Sequence, residues 1–331
     1  MENTTFKSFV VEEDGNQFTR RIKTRHLGEL PEGDLLIRVR YSGLNYKDAL
    51  SATGNKGVTK SYPHTPGIDA AGTVVSSASE KFQENDNVIV TGFDLGMNTP
   101  GGFGQFIRVP SEWALELPDG ISMKESMIIG TAGLTAGMSV MRLAEHLRPE
   151  DGTVVVSGAT GGVGSLGISI LAKLEFTVSA ISGKEDDTDF LFALGARKVI
   201  ARGDFEKADE RPMMKGRFAG GLDTVGGSIL DNIVKSTQSG GVVTCCGNVA
   251  SPQLHLTVYP FILRGVSLAG IATQNCPMDV RKLVWNKLSS DWKPDHLMRL
   301  SKEISLAQLS DHIDLMLDGK LKGRTILDLD T

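Results

Sequence analysis

The chain has 331 residues, which is long enough for two domains that each bury a core of their own. Its 40 acidic and 35 basic residues give a net charge of −5, and the absence of a basic block argues against nucleic acid as a partner. No apolar run reaches the roughly 18 residues that a membrane-spanning helix needs, and the first residues lack a signal-peptide pattern, so we expect a cytoplasmic protein that binds no membrane.

The first part of the chain is rich in strand signals. Short β-branched or aromatic runs are separated by Gly, Pro, Asn and Asp, among them FKSFVVEE, LLIRVRYSG, AAGTVVSS, DNVIVTG and FGQFIRVP. Such runs predict a small antiparallel barrel. The periodicity becomes helical near Ser122, so we place the first, β-rich domain at residues 1–123.

Strands and helices alternate in the second part of the chain. Candidate strands begin at Thr153, Thr177, Lys198, Leu222, Val242 and Val266. This alternation predicts a doubly wound α/β domain, with a parallel sheet between helices, over residues 124–295. The tail, residues 296–331, is predicted to form a helix and a strand, and we expect it to return to the first domain because a terminal strand needs a sheet to join.

A glycine-rich turn follows the first of these strands. The segment TVVVSGATGGVGSLG, from Thr153 to Gly167, has the order strand, glycine turn, helix. Glycines let the backbone approach a pyrophosphate, whose charge the amides and dipole of the helix N-terminus stabilise. The context favours dinucleotide binding over a purely structural turn, with the cofactor expected at Thr160, Gly161, Gly162 and Val163.

Several motifs in this order resemble the medium-chain dehydrogenase/reductase superfamily. They are LNYKDAL, PGIDAAGTV, GTAGLTA, SGATGGVGS, DTVGG, YPFILRGVSL and the pair Gly323-Arg324. Within that superfamily they are similar to the zinc-free, quinone-oxidoreductase-like branch, specifically the YhdH/YhfP-type acryloyl-CoA reductases. The resemblance implies a GroES-like catalytic domain, a Rossmann domain that binds NADPH, a C-terminal return to the first domain, and a homodimer.

The chain departs from the zinc-dependent relatives at their ligand positions. It has Asn45-Tyr46 in place of a Cys-His pair and Gly67-Ile68-Asp69 in place of a Gly-His-Glu motif. His64 stands alone, and we expect a surface or loop histidine rather than a ligand. Cys245, Cys246 and Cys276 show no CxxC spacing and are predicted to be buried apolar residues. Without a metal, hydride transfer to an activated double bond or a quinone is the more plausible chemistry.

The end of the second predicted Rossmann strand bears on cofactor choice. An NAD enzyme tends to place an acidic residue there against the ribose 2′-hydroxyl, whereas this chain has Ser182, Gly183 and Lys184. These groups suit a 2′-phosphate, and the resemblance suggests that Arg202 closes over it, so we predict NADPH. The alternative is that Lys184 is a surface residue and Glu185 binds the ribose. By resemblance, Asn248, Ile262 and Thr273 contact the nicotinamide side.

The catalytic residues are predicted with less support from the sequence. Hydride delivered to the β-carbon of an enoyl thioester leaves an enolate, which needs donors near its oxygen and a proton for the α-carbon. Tyr46 is the candidate donor, or alternatively only packs or holds the cofactor. Asp48 is predicted to cap a short helix and Asp69 to order its loop. Arg324 and Arg264 are candidate anchors for a phosphate-bearing ligand, or structural ion-pair partners.

The function that the sequence predicts is NADPH-dependent reduction of an activated C=C bond, most simply acryloyl-CoA to propanoyl-CoA. Quinone reduction is an alternative of the same type. An alternative of another class is a low-turnover NADPH-binding protein that serves sensing or structure, because a fold does not determine a function.

Overall fold

A computed structural model describes residues 4–183, 187–207 and 210–330. The chain divides into two compact units, the first formed by Met1–Thr131, Gln274–Ser289 and Leu297–Thr331, the second by Ala132–Thr273 and Ser290–His296. The strands are β1 (Thr5–Asp14), β2 (Gln17–His26), β3 (Leu35–Leu44), β4 (Asp69–Ser77), β5 (Asn87–Thr91), β6 (Phe106–Val109), β7 (Ala114–Glu116), β8 (Thr153–Val156), β9 (Thr177–Ser182), β10 (Lys198–Ala201), β11 (Phe218–Asp223), β12 (Thr237–Cys245), β13 (Ser267–Gly270), β14 (Ser301–Ser305) and β15 (Arg324–Asp328). The helices are α1 (Tyr46–Ser51), α2 (Met123–Ala144), α3 (Gly162–Lys173), α4 (Thr188–Ala193), α5 (Arg202–Glu206), α6 (Gly227–Lys235), α7 (Tyr259–Arg264), α8 (Met278–Ser289) and α9 (Leu309–Leu317).

The first unit is built on a largely antiparallel sheet. Its strand order is β14-β15-β3-β4-β5-β7, and β6 pairs with β3. Strands β1 and β2 form a separate hairpin. The core lies on the buried faces of β3, β4 and β5 and includes Leu35, Ile37, Val39, Val88 and Val90. The tail returns to this sheet as predicted, because β15 pairs with β3 through Thr325–Leu44 to Asp328–Tyr41.

The second unit is a six-stranded parallel sheet with the order β10-β9-β8-β11-β12-β13. The predicted α/β architecture is confirmed. Strand β11 begins four residues earlier than the predicted start at Leu222, because Gly220 and Gly221 lie inside the strand. A Cβ on either would approach Leu147 or Ile233 at 2.6 Å, so these glycines allow close packing rather than ending the strand.

The unit limits differ from the predicted limits at residues 123 and 296. Residues 124–131 and Gln274–Ser289 belong to the first unit. The division falls inside α2, which is kinked at Gly130, where φ is 50°. By length and composition α2 passes as a membrane-spanning helix, but 72% of its most apolar window is buried in the protein, which is typical of a core helix.

Candidate active site

The predicted dinucleotide-binding turn forms a glycine cradle, Gly158–Gly164, at the end of β8. Gly158 has a φ of 55°, a conformation that favours glycine. The Gly161 amide donates to the Gly158 carbonyl at 2.9 Å and closes the turn. Helix α3 begins at Gly162, and its first i to i−4 bond runs from Ser165 N to Gly161 O at 2.9 Å. The amides before Ser165 therefore have no i to i−4 acceptor within the helix, and they can bind an anion.

The glycines of the cradle have two different roles. A Cβ at Gly164 would collide with the Gly158 carbonyl oxygen, so this glycine packs the helix against the turn. A Cβ at Gly161 would meet Gly158 O alone, at 3.3 Å, and Gly161 is exposed. The cradle is closed on the Gly164 side and open on the Gly161 side, which is the shape that a pyrophosphate needs.

The base of the cradle is fixed by a buried carboxylate on the adjacent strand. The Ser157 hydroxyl donates to Asp223 Oδ1 at 2.6 Å, and the Thr224 hydroxyl donates to the Ser157 carbonyl at 3.0 Å. Asp223 Oδ2 accepts the amides of Val225 and Gly226. Burial raises the pKa of the Asp223 carboxyl, and its three hydrogen bonds oppose that rise. These bonds join the ends of β8 and β11, where the strand order reverses and ligands of such sheets bind.

Ser182, Gly183 and Arg202 lie together at the ends of β9 and β10. These parallel strands pair with Ala201 opposite Ser182. A Cβ on Gly183 would lie 2.8 Å from Cζ of Arg202, so the guanidinium packs directly over this glycine. Arg202 Nε also lies 3.6 Å from Glu206 Oε2, and both side chains are more than half exposed. The predicted Lys184 and the alternative Glu185 lie outside the described residues.

The residues predicted at the nicotinamide side are separated by the structure. Asn248 is exposed in the segment after β12, and the Thr273 hydroxyl is buried within 2.8 Å of the Thr135 hydroxyl. Both follow the carboxyl ends of parallel strands, on the edge that carries the cradle. Ile262 lies on α7 and is 67% exposed, among other exposed apolar side chains. It is a surface residue of this unit, and its predicted cofactor contact stays a prediction.

In the first unit, a polar cluster surrounds the start of α1. Its members come from four segments of the chain, the start of α1 and the elements β4, α2 and β15: Asn45, Asp48, Asp69, Thr131 and Arg324. Asp48 Oδ2 accepts the Asn45 amide at 2.8 Å, and Oδ1 accepts the amides of Gly67 and Ile68. The predicted capping role of Asp48 is present, and the same carboxylate also binds a second segment.

Asp69 orders the kink of α2. Its carboxylate accepts the Thr131 amide at 2.9 Å and the Thr131 hydroxyl at 2.6 Å, and it accepts Asn45 Nδ2 at 2.8 Å. A Cβ at Gly130 would collide with Asp69 Oδ2, so a glycine lets the carboxylate approach the kink. Asp69 therefore orders more than its own loop: it joins α1 to α2.

Arg324 closes the polar cluster, which corrects the expectation that it binds the cofactor or a phosphate. It is 3% exposed, and it donates to the carbonyls of Ile128 and Leu44 at 3.0 Å and to Asn45 Oδ1 at 3.1 Å. Its Nη2 lies 3.7 Å from Asp69 Oδ2. For Arg264 the contacts favour the structural alternative, because its guanidinium donates to the carbonyls of Lys235, Thr237 and Met214. Both arginines hold the fold together.

Burial raises the pKa of Asp48 to about 7, helped by the nearby Asp69 carboxylate and opposed by the amides that it accepts. Arg324 is also fully buried, and burial lowers the pKa of its guanidinium, while Asp69 and Asp48 oppose this. Two carboxylates thus share one guanidinium away from water.

Tyr46 lies at the surface end of this cluster. It is the first residue of α1, directly after the N-cap Asn45, and it is 38% exposed. Its backbone is thereby fixed by buried groups while its side chain is open to a ligand. The site residues expected from the sequence did not include Asn45, Thr131 or the neighbouring Lys47, although Asn45 and Lys47 both belong to the LNYKDAL motif.

His64 lies in the loop between α1 and β4, one of its two expected places, but it is buried and not at the surface. Its side chain is buried, its amide donates to Val11 O at 2.9 Å, and Nε2 has no hydrogen-bond partner in the described part of the chain. Burial lowers the pKa of this histidine. Among the described residues, no group of three or more His, Cys, Asp or Glu side chains is arranged to hold a metal ion. Cys276 is buried, whereas Cys245 and Cys246 are only partly so, and all three thiols are free.

Two family models match the chain, the alcohol dehydrogenase GroES-like domain at residues 31–119 and the zinc-binding dehydrogenase domain at residues 162–290. The putative quinone oxidoreductase YhfP of Bacillus subtilis is 42% identical over 99% of this chain and the whole of that protein. The chain belongs to the medium-chain dehydrogenase/reductase family. The predicted pairing of a GroES-like domain with a Rossmann domain is therefore confirmed.

Other relatives place the chain in one branch of this family. The probable acrylyl-CoA reductase AcuI of Escherichia coli is 38% identical over 97% of this chain and 99% of that protein. The YhdH oxidoreductase of Salmonella enterica, solved in complex with NADP, matches with a TM-score of 0.95 and 37% identity over 97% of this chain and 99% of that one. The Bacillus subtilis YhfP structure, solved with NAD bound, has a TM-score of 0.96 and 42% identity over 99% of this chain and the whole of that one.

Proposed function

We propose that this chain is an NADPH-dependent reductase of activated C=C bonds that converts acryloyl-CoA to propanoyl-CoA. The observation that carries the proposal is the full-length similarity to two proteins named acrylyl-CoA reductases, at 38% and 36% identity, together with an open glycine cradle. Quinone reduction is the competing activity, favoured by the name of the relative that is 42% identical.

The groups near Gly183 favour NADPH over NADH. The Arg202 guanidinium packs over Gly183 beside the buried Ser182, and the position after them is a lysine. A guanidinium and an ammonium form charge-assisted bonds to a 2′-phosphate that a ribose hydroxyl cannot match. A relative has been solved with NAD, and Glu206 beside Arg202 partly offsets its charge, so discrimination against NADH is expected to be incomplete.

The chain's own residues would hold the reactants and the charge. The first-turn amides of α3 would bind the pyrophosphate, and Ser182, Lys184 and Arg202 would bind the 2′-phosphate. When bound, NADPH supplies a hydride to the β-carbon of the acyl group. The Tyr46 hydroxyl would donate to the thioester oxygen, where negative charge develops, and lower the barrier by that contact.

A single assay separates the candidate functions. NADPH oxidation is followed spectroscopically with acryloyl-CoA, with a quinone, and without an acceptor. We expect rapid oxidation with acryloyl-CoA and propanoyl-CoA as the product by mass spectrometry. A quinone-only response assigns the competing activity, and tight NADPH binding without oxidation by either acceptor favours a sensor or structural role.

We also propose a homodimer through the edge of the second sheet. Among the described strands, β13 pairs only with β12, which leaves one edge open. The segment that precedes β13 in the sequence carries large apolar side chains that are 43–67% exposed: Val249, Leu254, Val258, Tyr259, Ile262 and Leu263. An open edge and an exposed apolar segment suit two-fold pairing with a second copy. Light scattering should give twice the mass of one chain for the parent and a lower mass for Leu263→Lys.

A cytoplasmic location is part of the same proposal. The three free thiols suit a compartment that keeps cysteines reduced. Fractionation of cells that express the chain at its native level tests this.

A further inference from the structure

Lys47 is a half-buried lysine whose ammonium contacts only neutral groups. Its Nζ donates to Gln274 Oε1 at 2.8 Å and lies 3.9 Å from the Met97 sulfur. Within the described ranges no carboxylate forms an ion pair with it, whereas Lys56, Lys81 and Lys124 each pair with a glutamate. Removing an ammonium partly from water without an anionic partner costs folding free energy, so a purely structural role does not account for this lysine.

The acceptor of Lys47 is held in place by a stack of side chains. The Gln274 carbonyl accepts the Phe93 amide at 2.9 Å and Arg281 Nη2 at 3.2 Å. The Arg281 guanidinium lies 4.5 Å from the centre of the Phe93 ring, which stacks on Trp113 at 5.6 Å. Arg281 is itself buried and donates to Thr91. Gln274 is therefore anchored by packed neighbours and fixes the position of the Lys47 ammonium. Reactive side chains are usually positioned by such supporting residues.

Burial lowers the pKa of Lys47, and the Asp48 carboxylate opposes this. Asp48 itself is fully buried, and burial raises its pKa to about 7, so much of its charge is absent near neutral pH. The Lys47 ammonium therefore gives up its proton more readily than an exposed lysine does.

The proposed reduction needs such an acid. Hydride forms the new C–H bond at the β-carbon, the π electrons of the C=C bond move to give an enolate, and the α-carbon must then receive a proton. Tyr46 is proposed to bind the enolate oxygen, which is separated from the α-carbon only by the carbonyl carbon. Lys47 is the next residue in the same first turn of α1.

We propose that Lys47 is the general acid that protonates the α-carbon, an inference that rests on the proposed reductase function. The N–H bond of the ammonium breaks as the α C–H bond forms, which leaves a neutral amine and saturated propanoyl-CoA. A proton from water then restores the ammonium. No further oxidant or reductant takes part.

The test compares Lys47→Met and Lys47→Arg with the parent, and Lys81→Met is the matched control because it removes one lysine from an exposed ion pair. Single-turnover formation of propanoyl-CoA from saturating acryloyl-CoA, followed by rapid quench and mass spectrometry, gives the rate of the completed reduction, and a fluorescence titration gives NADPH affinity. In D₂O the deuterium at C2 of propanoyl-CoA has one configuration if a fixed acid supplies it. NMR of a chiral derivative measures this configuration, which a merely structural residue would not change.

We expect Lys47→Met to lower the single-turnover rate by about 10²- to 10⁴-fold, the usual contribution of a general acid, with unchanged NADPH affinity and racemic deuterium at C2. Lys47→Arg should be as slow, because a guanidinium keeps its charge but not a transferable proton. Lys81→Met should match the parent. If Lys47→Met does not fold, Lys47→Gln takes its place in all assays, because a glutamine keeps a hydrogen-bond donor for Gln274.

Two results would overturn the role of Lys47 alone. The first is a parent that reduces acryloyl-CoA while Lys47→Met keeps both the rate and a single C2 configuration. The second is full activity of Lys47→Arg, which would show that only a positive charge is needed. A parent that binds NADPH and leaves acryloyl-CoA unreduced overturns the proposed function, and the role of Lys47 with it.

Discussion

The polar cluster of the first unit and the glycine cradle of the second treat their hydrogen-bonding groups in opposite ways. In the cluster, the carboxylates and the guanidinium are buried and bind one another or backbone groups. In the cradle, the first-turn amides of α3 precede the internal bonds of the helix, and Gly161 is open to solvent. The cluster is arranged to hold the protein, whereas the cradle is arranged to hold a ligand.

This difference separates buried charged residues, which stabilise the fold, from exposed ones, which can bind a ligand. Arg324, Asp69 and Asp48 stabilise the local structure because their partners are already present, and Tyr46 extends from the rigid structure that they form. Arg202, with its side chain 58% exposed, keeps the solvent access that a ligand-binding cation needs. Changes in the cluster should therefore reduce stability, and changes around the cradle should reduce binding.

The largest expected effect comes from breaking the buried ion pair. Asp69→Ala leaves the Arg324 guanidinium buried with a weakened anionic environment and removes the acceptor of the Thr131 amide. We expect a loss of about 3–5 kcal/mol in the free energy of unfolding by urea. The control Asp318→Ala, which breaks an exposed ion pair with Lys320, should cost at most about 1 kcal/mol. Equal losses for the two variants would contradict the assigned role of the cluster.

Tyr46→Phe tests a residue that combines both tasks, because its backbone is held by the polar cluster and its hydroxyl is proposed to contact the substrate. We expect the fold and NADPH affinity to be kept and kcat to fall by about 10²- to 10³-fold, as for the loss of one preorganised donor. Single-turnover oxidation beside an NADPH titration measures both. A rate within about threefold of the parent would rule out the donor role, and weaker NADPH binding at constant kcat would assign Tyr46 to the cofactor.

Lys184→Ala and Arg202→Ala sharpen the comparison from the side of the cradle. Each should weaken NADPH binding by about 1–3 kcal/mol, the scale of a charge-assisted contact, with little change for NADH and none in the urea midpoint. Calorimetric titration with both cofactors checks this. Equal losses for NADPH and NADH would show that the altered residue does not bind the 2′-phosphate.

The raised pKa of Asp48 predicts a pH dependence of stability. The folded state keeps this proton up to about pH 7, whereas the unfolded carboxyl loses it near 3.8, so folding takes up a proton between these values. Stability from this group is fully present below the lower value and is lost as pH rises through the upper one. Between pH 5 and pH 6, parent stability should fall by about 1 kcal/mol more than that of Asp48→Asn, which cannot titrate. Urea unfolding at both pH values gives the difference. An equal change in unfolding free energy for the parent and Asp48→Asn would contradict the prediction.

The smallest expected effect is that of metal removal. Exhaustive chelation should leave the fold and activity unchanged, since Asn45-Tyr46 stands in place of the Cys-His pair and Gly67-Ile68-Asp69 in place of the Gly-His-Glu motif of the zinc-dependent relatives. One tightly bound zinc per chain in elemental analysis would contradict this expectation.

The cradle was within reach of sequence reasoning because its determinants are contiguous. A strand, a glycine turn and a helix follow one another from Thr153 to Lys173, and the backbone geometry of such a segment depends mainly on its own residues. The succession of strands along the second unit and the family itself were accessible for the same reason: they rest on local runs and motifs that follow one another along the chain.

The environment of single charged or polar residues was not accessible in this way. Arg324 looked like a phosphate anchor and His64 like a surface residue, yet both are buried. Arg324 donates to the carbonyls of Leu44, 280 positions earlier in the chain, and of Ile128 in α2. The acceptor of Lys47 is Gln274, at a sequence separation of 227. The sequence by itself determined the glycine cradle and the succession of strands, since these depend on neighbours along the chain. Only the tertiary structure decided which charges are buried and paired, because burial and pairing arise when distant segments pack together.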